Sequence, residues 1–211
     1  MNKLVKQVND AITSAEQHKS KLSDEILALP GMSSKKVRHF LNNICANPDQ
    51  RYLEIGVWQG STFISANYQN EHTHPSIAID NFSEFNHIDV LNEFNKNTQK
   101  YLQSNQYEFI QEQCFQTNVG RFDTKFQIYF YDGGHTEEEQ YLALTHFQSI
   151  LDNEIILIID DWNFEPVPKG TRKAIQELKW NVLHEWIMPA ECIGDVVNWW
   201  NGFFIAVIEK A

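Results

Sequence analysis

The stretch that decides the fold is Arg51-Tyr-Leu-Glu-Ile-Gly-Val-Trp-Gln-Gly-Ser-Thr62. Its apolar residues predict a short strand that is covered on both faces. Two glycines, Gly56 and Gly60, then indicate a turn in which the backbone bends tightly or approaches a ligand closely. Ser61 is a favourable residue at the beginning of a helix. A strand, a glycine turn and a helix in this order are typical of the mouth of a nucleotide-type site in an open α/β sheet.

The composition is that of an acidic protein with enough apolar residues for a substantial core. The 211 residues include 17 Lys and Arg against 28 Asp and Glu, for a formal net charge of −11. This net negative charge disfavours binding to nucleic acids and anionic membranes, so we expect neither partner. The widely spaced cysteines indicate reduced thiols. The first residues lack the apolar core of a signal peptide, and no segment is long enough to span a membrane, so we expect a cytoplasmic protein.

Predicted strands and helices alternate along the chain. Residues 1–48 have apolar side chains at helical spacing, which predicts an N-terminal helical extension packed on the core. Residues 49–211 are predicted to form the main domain. Its strands are predicted at residues 52–57, 76–80, 107–110, 125–132, 155–159, 181–188 and 202–209. Helices are predicted between most of these strands, among them residues 81–102 and 170–179.

This alternation of elements defines the expected fold class. No helix-length segment separates the last two predicted strands, so they are expected to pair as an antiparallel hairpin. The fold class is therefore α/β, with a Rossmann-like, doubly wound, mostly parallel seven-stranded sheet, a C-terminal antiparallel hairpin and an N-terminal helical cover.

Acidic residues end three of the predicted strands. Asp80 follows the second strand, Asp132 the fourth, and Asp160 and Asp161 the fifth. Ligands of open α/β sheets bind at these carboxyl ends. If the fourth and fifth strands are neighbours, three carboxylates share a small volume, where like charges raise their pKa values. A hard divalent cation such as Mg²⁺ or Ca²⁺ resolves this conflict because it takes oxygen ligands. Turn formation and helix capping are the alternative roles of these acids.

Trp58 distinguishes between two kinds of cofactor. A dinucleotide fingerprint needs a glycine where the backbone approaches the pyrophosphate, and Trp58 occupies that position. A bulky indole there argues against a pyrophosphate. An NAD-dependent oxidoreductase on a Rossmann sheet is therefore an alternative interpretation with less support. A non-catalytic protein that binds a nucleoside is a further alternative, because a fold alone does not establish activity.

The spacing Glu54-x-Gly56-x-x-x-Gly60 resembles the first motif of class I S-adenosylmethionine-dependent methyltransferases. With the predicted terminal hairpin, the resemblance extends from about residue 50 to the end of the chain. It implies S-adenosylmethionine as the cofactor and the strand order 3-2-1-4-5-7-6. In the site that it implies, Asp80 binds the ribose hydroxyls and Gln113 and Cys114 lie near the adenine. The full set of implied cofactor-binding residues is Glu54, Gly56, Trp58, Gly60, Ser61, Asp80, Gln113, Cys114 and Asp132.

The acidic strand ends resemble those of a more specific group, the metal-dependent small-molecule O-methyltransferases of the macrocin and novobiocin sugar O-methyltransferase type. This resemblance implies that Asp132, Asp160 and Asp161 bind Mg²⁺ or another divalent cation, which orients a hydroxyl of a small-molecule acceptor. Asp132 and His135 are the candidate catalytic residues. Histidine titrates near neutral pH, so His135 is a candidate general base, with metal ligation and helix initiation as alternatives. Neither the acceptor nor the formation of a homo-oligomer is specified by the sequence.

Overall fold

A computed structural model of the protein describes residues 2–83 and 89–210. The helices of these residues are α1 Lys3–Glu16, α2 Asp24–Leu27, α3 Lys35–Ile44, α4 Ser61–Asn67, α5 Val90–Tyr101, α6 Glu137–Thr145 and α7 Pro166–Glu177. The strands are β1 Tyr52–Ile55, β2 Ser76–Ile79, β3 Tyr107–Ile110, β4 Phe126–Tyr131, β5 Leu151–Ile159, β6 Asn181–Met188 and β7 Phe203–Glu209. Helices and strands alternate from β1 to α7, as the sequence predicts, except that two short 3₁₀ turns replace a helix between β3 and β4.

All seven strands form one sheet with the order β3-β2-β1-β4-β5-β7-β6. The five strands from β3 to β5 pair in parallel. β7 is antiparallel to both of its neighbours, β5 and β6. The predicted doubly wound sheet, its C-terminal hairpin and the strand order implied by the resemblance are therefore confirmed. In this order the carboxyl ends of β1, β4 and β5 are adjacent at one edge of the sheet.

The strand β5 lies inside the sheet, between β4 and β7, and is buried on both faces. The five residues from Ile155 to Ile159 are fully shielded from solvent. The prediction began this strand at Ile155, whereas the structure begins it at Leu151. The polar residues before Ile155 do not resemble a strand, but Leu151 pairs with Phe126 of β4 and Glu154 pairs with Glu209 of β7. Backbone pairing on both sides therefore extends the strand beyond its apolar run.

The N-terminal helices cover one face of the sheet. Val8 of α1 and Phe40 of α3 are fully buried and belong to the same apolar cluster as Ile128 of β4. Phe40 also packs edge-on against Phe203 of β7. These contacts agree with the predicted helical cover, and the domain boundary at residue 48 stays a prediction.

Two predicted helices begin at other residues in the structure. The helix predicted over residues 81–102 begins at Val90, after Asp89, whose side chain caps it by accepting from the amide of Asn92. Residues 84–88 of that prediction lie outside the described residues. The helix α7 begins at Pro166, before its predicted start at residue 170. Proline fits the first turn of a helix because the N–H that it lacks has no hydrogen-bond partner there. No helix of the described residues has the length and apolar character that crossing a membrane requires.

We expect the substitution Ile158→Ala to lower the free energy of unfolding by about 2–5 kcal/mol, because it leaves a cavity inside the sheet. Ile158 is fully buried between Phe130 of β4 and Ile205 of β7. Urea unfolding followed by circular dichroism measures the effect. The control is Ile187→Ala on the edge strand β6, where the side chain is 50% exposed and the expected loss is below about 1 kcal/mol. Equal losses in the two variants would contradict this account of the core.

Candidate active site

A cavity of about 310 Å³ lies beyond the carboxyl ends of β1 to β5. Most of the residues predicted for the site line this cavity. They are Gly56, Trp58, Asp80, Gln113, Cys114, Asp132, His135, Asp160 and Asp161. The sheet order therefore brings together residues that follow all five parallel strands, β1 to β5, as expected for an open α/β sheet.

Three predicted cofactor-binding residues lie outside the cavity lining. Glu54 is fully buried, and its carboxyl oxygens accept hydrogen bonds of 2.5 Å from Tyr52 Oη and Thr62 Oγ1. Gly60 precedes α4 in a left-handed conformation with φ of 88°, and Ser61 begins that helix with 4% of its surface exposed. The contacts predicted between these residues and a cofactor stay predictions.

A glycine is required at residue 56 because the turn passes close to the end of β4 there. Its φ is 82°, and a Cβ atom at this position would lie 1.9 Å from the carbonyl oxygen of Asp132. The amide of Asp132 donates to the carbonyl of Ile55 at 2.8 Å, which continues the pairing of β1 with β4. The sequence offered two reasons for this glycine, a tight bend or a close ligand. The structure gives a third, a close approach between two backbone segments.

Asp80 supports the glycine turn from the end of β2. Its Oδ2 accepts from the amides of Val57 and Trp58 at 2.8 and 3.1 Å, and its Oδ1 accepts from the amide of Phe82 at 2.7 Å. These bonds hold Trp58 in a left-handed conformation with φ of 42°. Each carboxylate oxygen can accept two hydrogen bonds, so Oδ1 retains capacity for a ligand hydroxyl. The helix-capping alternative does not apply, because α5 is capped by Asp89.

Gln113 and Cys114 form the wall of the cavity after β3. The side-chain oxygen of Gln113 accepts from the amide of Phe115 at 2.8 Å and so caps a short 3₁₀ turn. Burial raises the pKa of the Cys114 thiol to about 12. Cys114 is therefore a neutral thiol at physiological pH and serves as a small wall residue, since the thiolate is the nucleophilic form.

Asp132, His135 and Asp161 converge on one side of the cavity. Each offers a ligand atom, and the three atoms lie within 4.8 Å of one another. We call these residues the acidic group. Nε2 of His135 lies 2.6 Å from Oδ2 of Asp161, and the His135 ring is stacked on Phe164 with 5.8 Å between centroids. The separation of these ligand atoms suits a single bound cation.

Asp160 lies beside the acidic group and takes part in a different contact. It is 3% exposed, and its Oδ1 accepts from the amide of Asp161 at 2.9 Å. Asp160 lines the cavity but is not one of the three converging residues. Its role as a metal ligand stays a prediction, whereas the ligand alternative for His135 gains a geometric basis.

The acids of the cavity repel one another in the absence of a cation. The residues concerned are Asp80, Glu112, Asp132, Glu139, Asp160 and Asp161. Burial, followed by the charges of Asp160 and Asp161, raises the pKa of Asp132 well above its ordinary value. Burial and the charge of Asp161 raise the pKa of Asp160 in the same direction. No lysine or arginine is present among the described lining residues, so the cavity favours positively charged ligands.

Further lining residues come from parts of the chain that carry no recognisable motif. Met32 precedes α3, Phe164 follows β5, and Trp200 and Asn201 precede β7. Asn201 donates from Nδ2 to Oδ1 of Asp161 at 2.7 Å. Of the neighbouring residues Trp199 and Trp200, Trp200 lines the cavity, whereas Trp199 is buried and stacked on Phe203.

Comparison with protein families assigns the chain to a class. Residues 53–162 match a family described as a methyltransferase domain, and this region includes the glycine turn and the acidic group. The chain therefore belongs to this methyltransferase family, and its sheet is that of the class I S-adenosylmethionine-dependent enzymes. No curated protein matches the sequence significantly.

Several solved structures share this fold at low sequence identity. A putative caffeoyl-CoA O-methyltransferase from Staphylococcus aureus has a TM-score of 0.64 and 13% identity, with 96% of this chain and 98% of that chain covered. The O-methyltransferase from Bacillus cereus in complex with SAH has a TM-score of 0.60 and 11% identity, with 99% and 92% covered. TrmN from Thermus thermophilus has a TM-score of 0.60 and 16% identity. The match covers 89% of this chain and 52% of TrmN, so the chain spans about half of that protein.

The buried carboxyl of Glu54 generates a prediction about pH. Burial raises the pKa of Glu54 from 4.5 to about 8 in the folded protein. Between these values unfolding releases a proton, so rising pH favours the unfolded chain and stability falls. The variant Glu54→Gln lacks this proton release.

We therefore expect the stability difference, wild type minus Glu54→Gln, to decrease steadily as the pH rises from about 5 to about 8. Urea unfolding of both proteins at several pH values measures this difference. Parallel pH profiles would show that the carboxyl does not titrate in this window.

Proposed function

We propose that the protein transfers a methyl group from S-adenosylmethionine to a hydroxyl group of a small-molecule acceptor, with a divalent cation bound at the acidic group. The observation that carries this proposal is the convergence of Asp132, His135 and Asp161 in the wall of the cavity that the glycine turn and Asp80 also line. One cavity thus combines a nucleoside-type turn with groups suited to a cation.

The charge of the cavity supports S-adenosylmethionine over a dinucleotide. When bound, this cofactor supplies a methyl group on a positively charged sulfonium, which the ionised carboxylates among the six lining acids attract. The same carboxyl groups repel a pyrophosphate, and Trp58 occupies the position where a dinucleotide needs a glycine. Asp80 retains acceptor capacity for a ribose hydroxyl at the end of β2. These features disfavour the NAD-dependent alternative.

The acidic group has the donor set of a hard cation site. Asp132 and Asp161 offer carboxylate oxygens to the cation, and Asp160 is the additional ligand predicted from the resemblance, which leaves His135 for proton transfer. A bound cation would offset the burial and the repulsion that raise the pKa of Asp132. Such a cation supplies Lewis acidity, which favours ionisation of a coordinated hydroxyl.

His135 is placed to take a proton from the acceptor. Its side chain is 51% exposed at the cavity, so an acceptor can reach it. The contact of Nε2 with Oδ2 of Asp161 favours the tautomer with a proton on Nε2, which leaves Nδ1 as a proton acceptor. Asp161 also stabilises the imidazolium that forms when His135 takes a proton.

The acceptor side of the cavity combines apolar and polar groups. Met32, Phe164 and Trp200 provide apolar and aromatic surface, and Asn201 provides an amide. Pockets for small molecules commonly pair an apolar wall with a few polar groups that fix orientation. A small hydroxylated molecule with an apolar face therefore fits this side of the cavity.

Thermal unfolding in the presence of nucleotides tests the cofactor. A ligand that binds only the folded protein at 100 times its Kd adds about 2.7 kcal/mol to stability. We therefore expect S-adenosylmethionine and S-adenosylhomocysteine to raise the Tm by several degrees and NAD and NADP to leave it unchanged. A rise with NAD alone would support the oxidoreductase, and no rise with either sulfur nucleoside would refute the proposed cofactor.

Methyl transfer to a panel of vicinal diols tests the cation and the acidic group. We expect Mg²⁺ to support formation of S-adenosylhomocysteine and EDTA to abolish it. The variants Asp132→Asn and Asp161→Asn are expected to lose activity by a factor of at least about 100. Each substitution removes a carboxylate that would bind the cation, and Asp161→Asn also removes the carboxylate that contacts His135.

The matched control for these variants is Asp10→Asn, which removes a charge from a side chain that is 65% exposed on α1. It is expected to retain wild-type activity. Turnover that resists EDTA would refute the role of the cation and leave methyl transfer itself intact.

A further inference from the structure

Two loops meet beside the acidic group. One follows β5 and contains Asp161, and the other precedes β7 and contains Asn201. Their backbones are joined by hydrogen bonds of 3.0 Å from the amide of Trp162 to the carbonyl of Gly202 and from the amide of Asn163 to the carbonyl of Asn201. The position of Asp161 therefore depends on a loop that is distant in sequence.

The side chain of Asn201 is hydrogen-bonded at both ends. Its Oδ1 accepts from the amide of Gly194 at 2.7 Å, and its Nδ2 donates to Oδ1 of Asp161 at 2.7 Å. A backbone amide can only donate, so the oxygen of Asn201 must face Gly194 and the nitrogen must face Asp161. The amide is thus fixed in the orientation that presents a donor to the carboxylate.

The two oxygens of Asp161 have different partners. Asn201 binds Oδ1, and Oδ2 faces Nε2 of His135 at 2.6 Å. Asp161 is 5% exposed, so its carboxylate has little freedom to reach other partners. The bond from Asn201 therefore selects the rotation in which Oδ2 points into the acidic group.

The backbone around this contact is held in an unfavourable conformation. Asp161 has φ of 58° and Trp200 has φ of 57°, although neither is a glycine. Such conformations cost about 1–3 kcal/mol each and persist where surrounding contacts impose them, frequently at active sites. Contacts between the two loops, among them the bond from Asn201 to Asp161, impose this conformation here.

We propose that Asn201 is a positioning residue that orients Asp161 for binding a divalent cation. This inference rests on the cation site of the proposed function. Asn201 acts through a hydrogen bond to the ligand, not by contact with the cation. Partners of this kind fix the orientation of metal ligands, and their removal typically weakens metal affinity by about 10–100-fold.

Calorimetric titration of metal-free protein with Mn²⁺ tests this role without an activity measurement. We expect Asn201→Ala to bind Mn²⁺ about 10–100-fold more weakly than the wild type. The control is Asn163→Ala, which removes another amide donor between the same two loops, from Nδ2 of Asn163 to the carbonyl of Ala190 at 2.9 Å. That donor does not touch Asp161, so the control is expected to bind Mn²⁺ within about twofold of the wild type.

A second variant, Asn201→Leu, fills the space of the amide without either hydrogen bond. It is used in place of Asn201→Ala if the alanine variant does not fold. Wild-type affinity in the folded Asn201 variant, or an equal loss in Asn163→Ala, would overturn the positioning role. If the wild type itself binds no Mn²⁺, the cation of the proposed function is refuted together with this inference. If only the Asn201 effect is missing, the proposed function remains.

Discussion

The close approach of β1 and β4 at Gly56 is the constraint on which the rest of the site depends. The carbonyl oxygen of Asp132 occupies the space that a side chain at residue 56 would need. The glycine turn and the first acid of the cavity are therefore held together by backbone contact. Asp80 fixes the same turn from β2 through two amide hydrogen bonds, from Val57 and Trp58. The cofactor side and the acidic side of the cavity consequently form one rigid edge of the sheet.

Much of the fold was predictable because local and global signals agree. The run Ile155–Ile159 has the composition of a strand buried on both faces, and it lies inside the sheet. The boundaries were less predictable where pairing determines them, as at Leu151, which belongs to β5 only because Phe126 pairs with it. The strand order came from the family resemblance, since no residue of the sequence specifies which strands are neighbours.

The site was predictable where a residue directly follows a strand. Asp80, Asp132 and Asp160 are such residues, and all three line the cavity. The rest of the site depends on tertiary contacts that leave no local pattern. Asn201 lies 40 residues from Asp161, and a single asparagine in a loop before the last strand gives no sign of its partner. The convergence of His135 with the acids likewise depends on the path of the loop after β4.

The position of β7 has a consequence for the assembly of the protein during synthesis. It follows every other strand in the chain, yet it lies between β5 and β6 in the sheet. Until β7 has been made, β5 exposes a row of unpaired amides and carbonyls along one edge. Such an edge can pair with other chains and aggregate. Pairing with β7 closes this edge, and the backbone hydrogen bonds that join Asn201 and Gly202 to the loop of Asp161 adjoin the same strand.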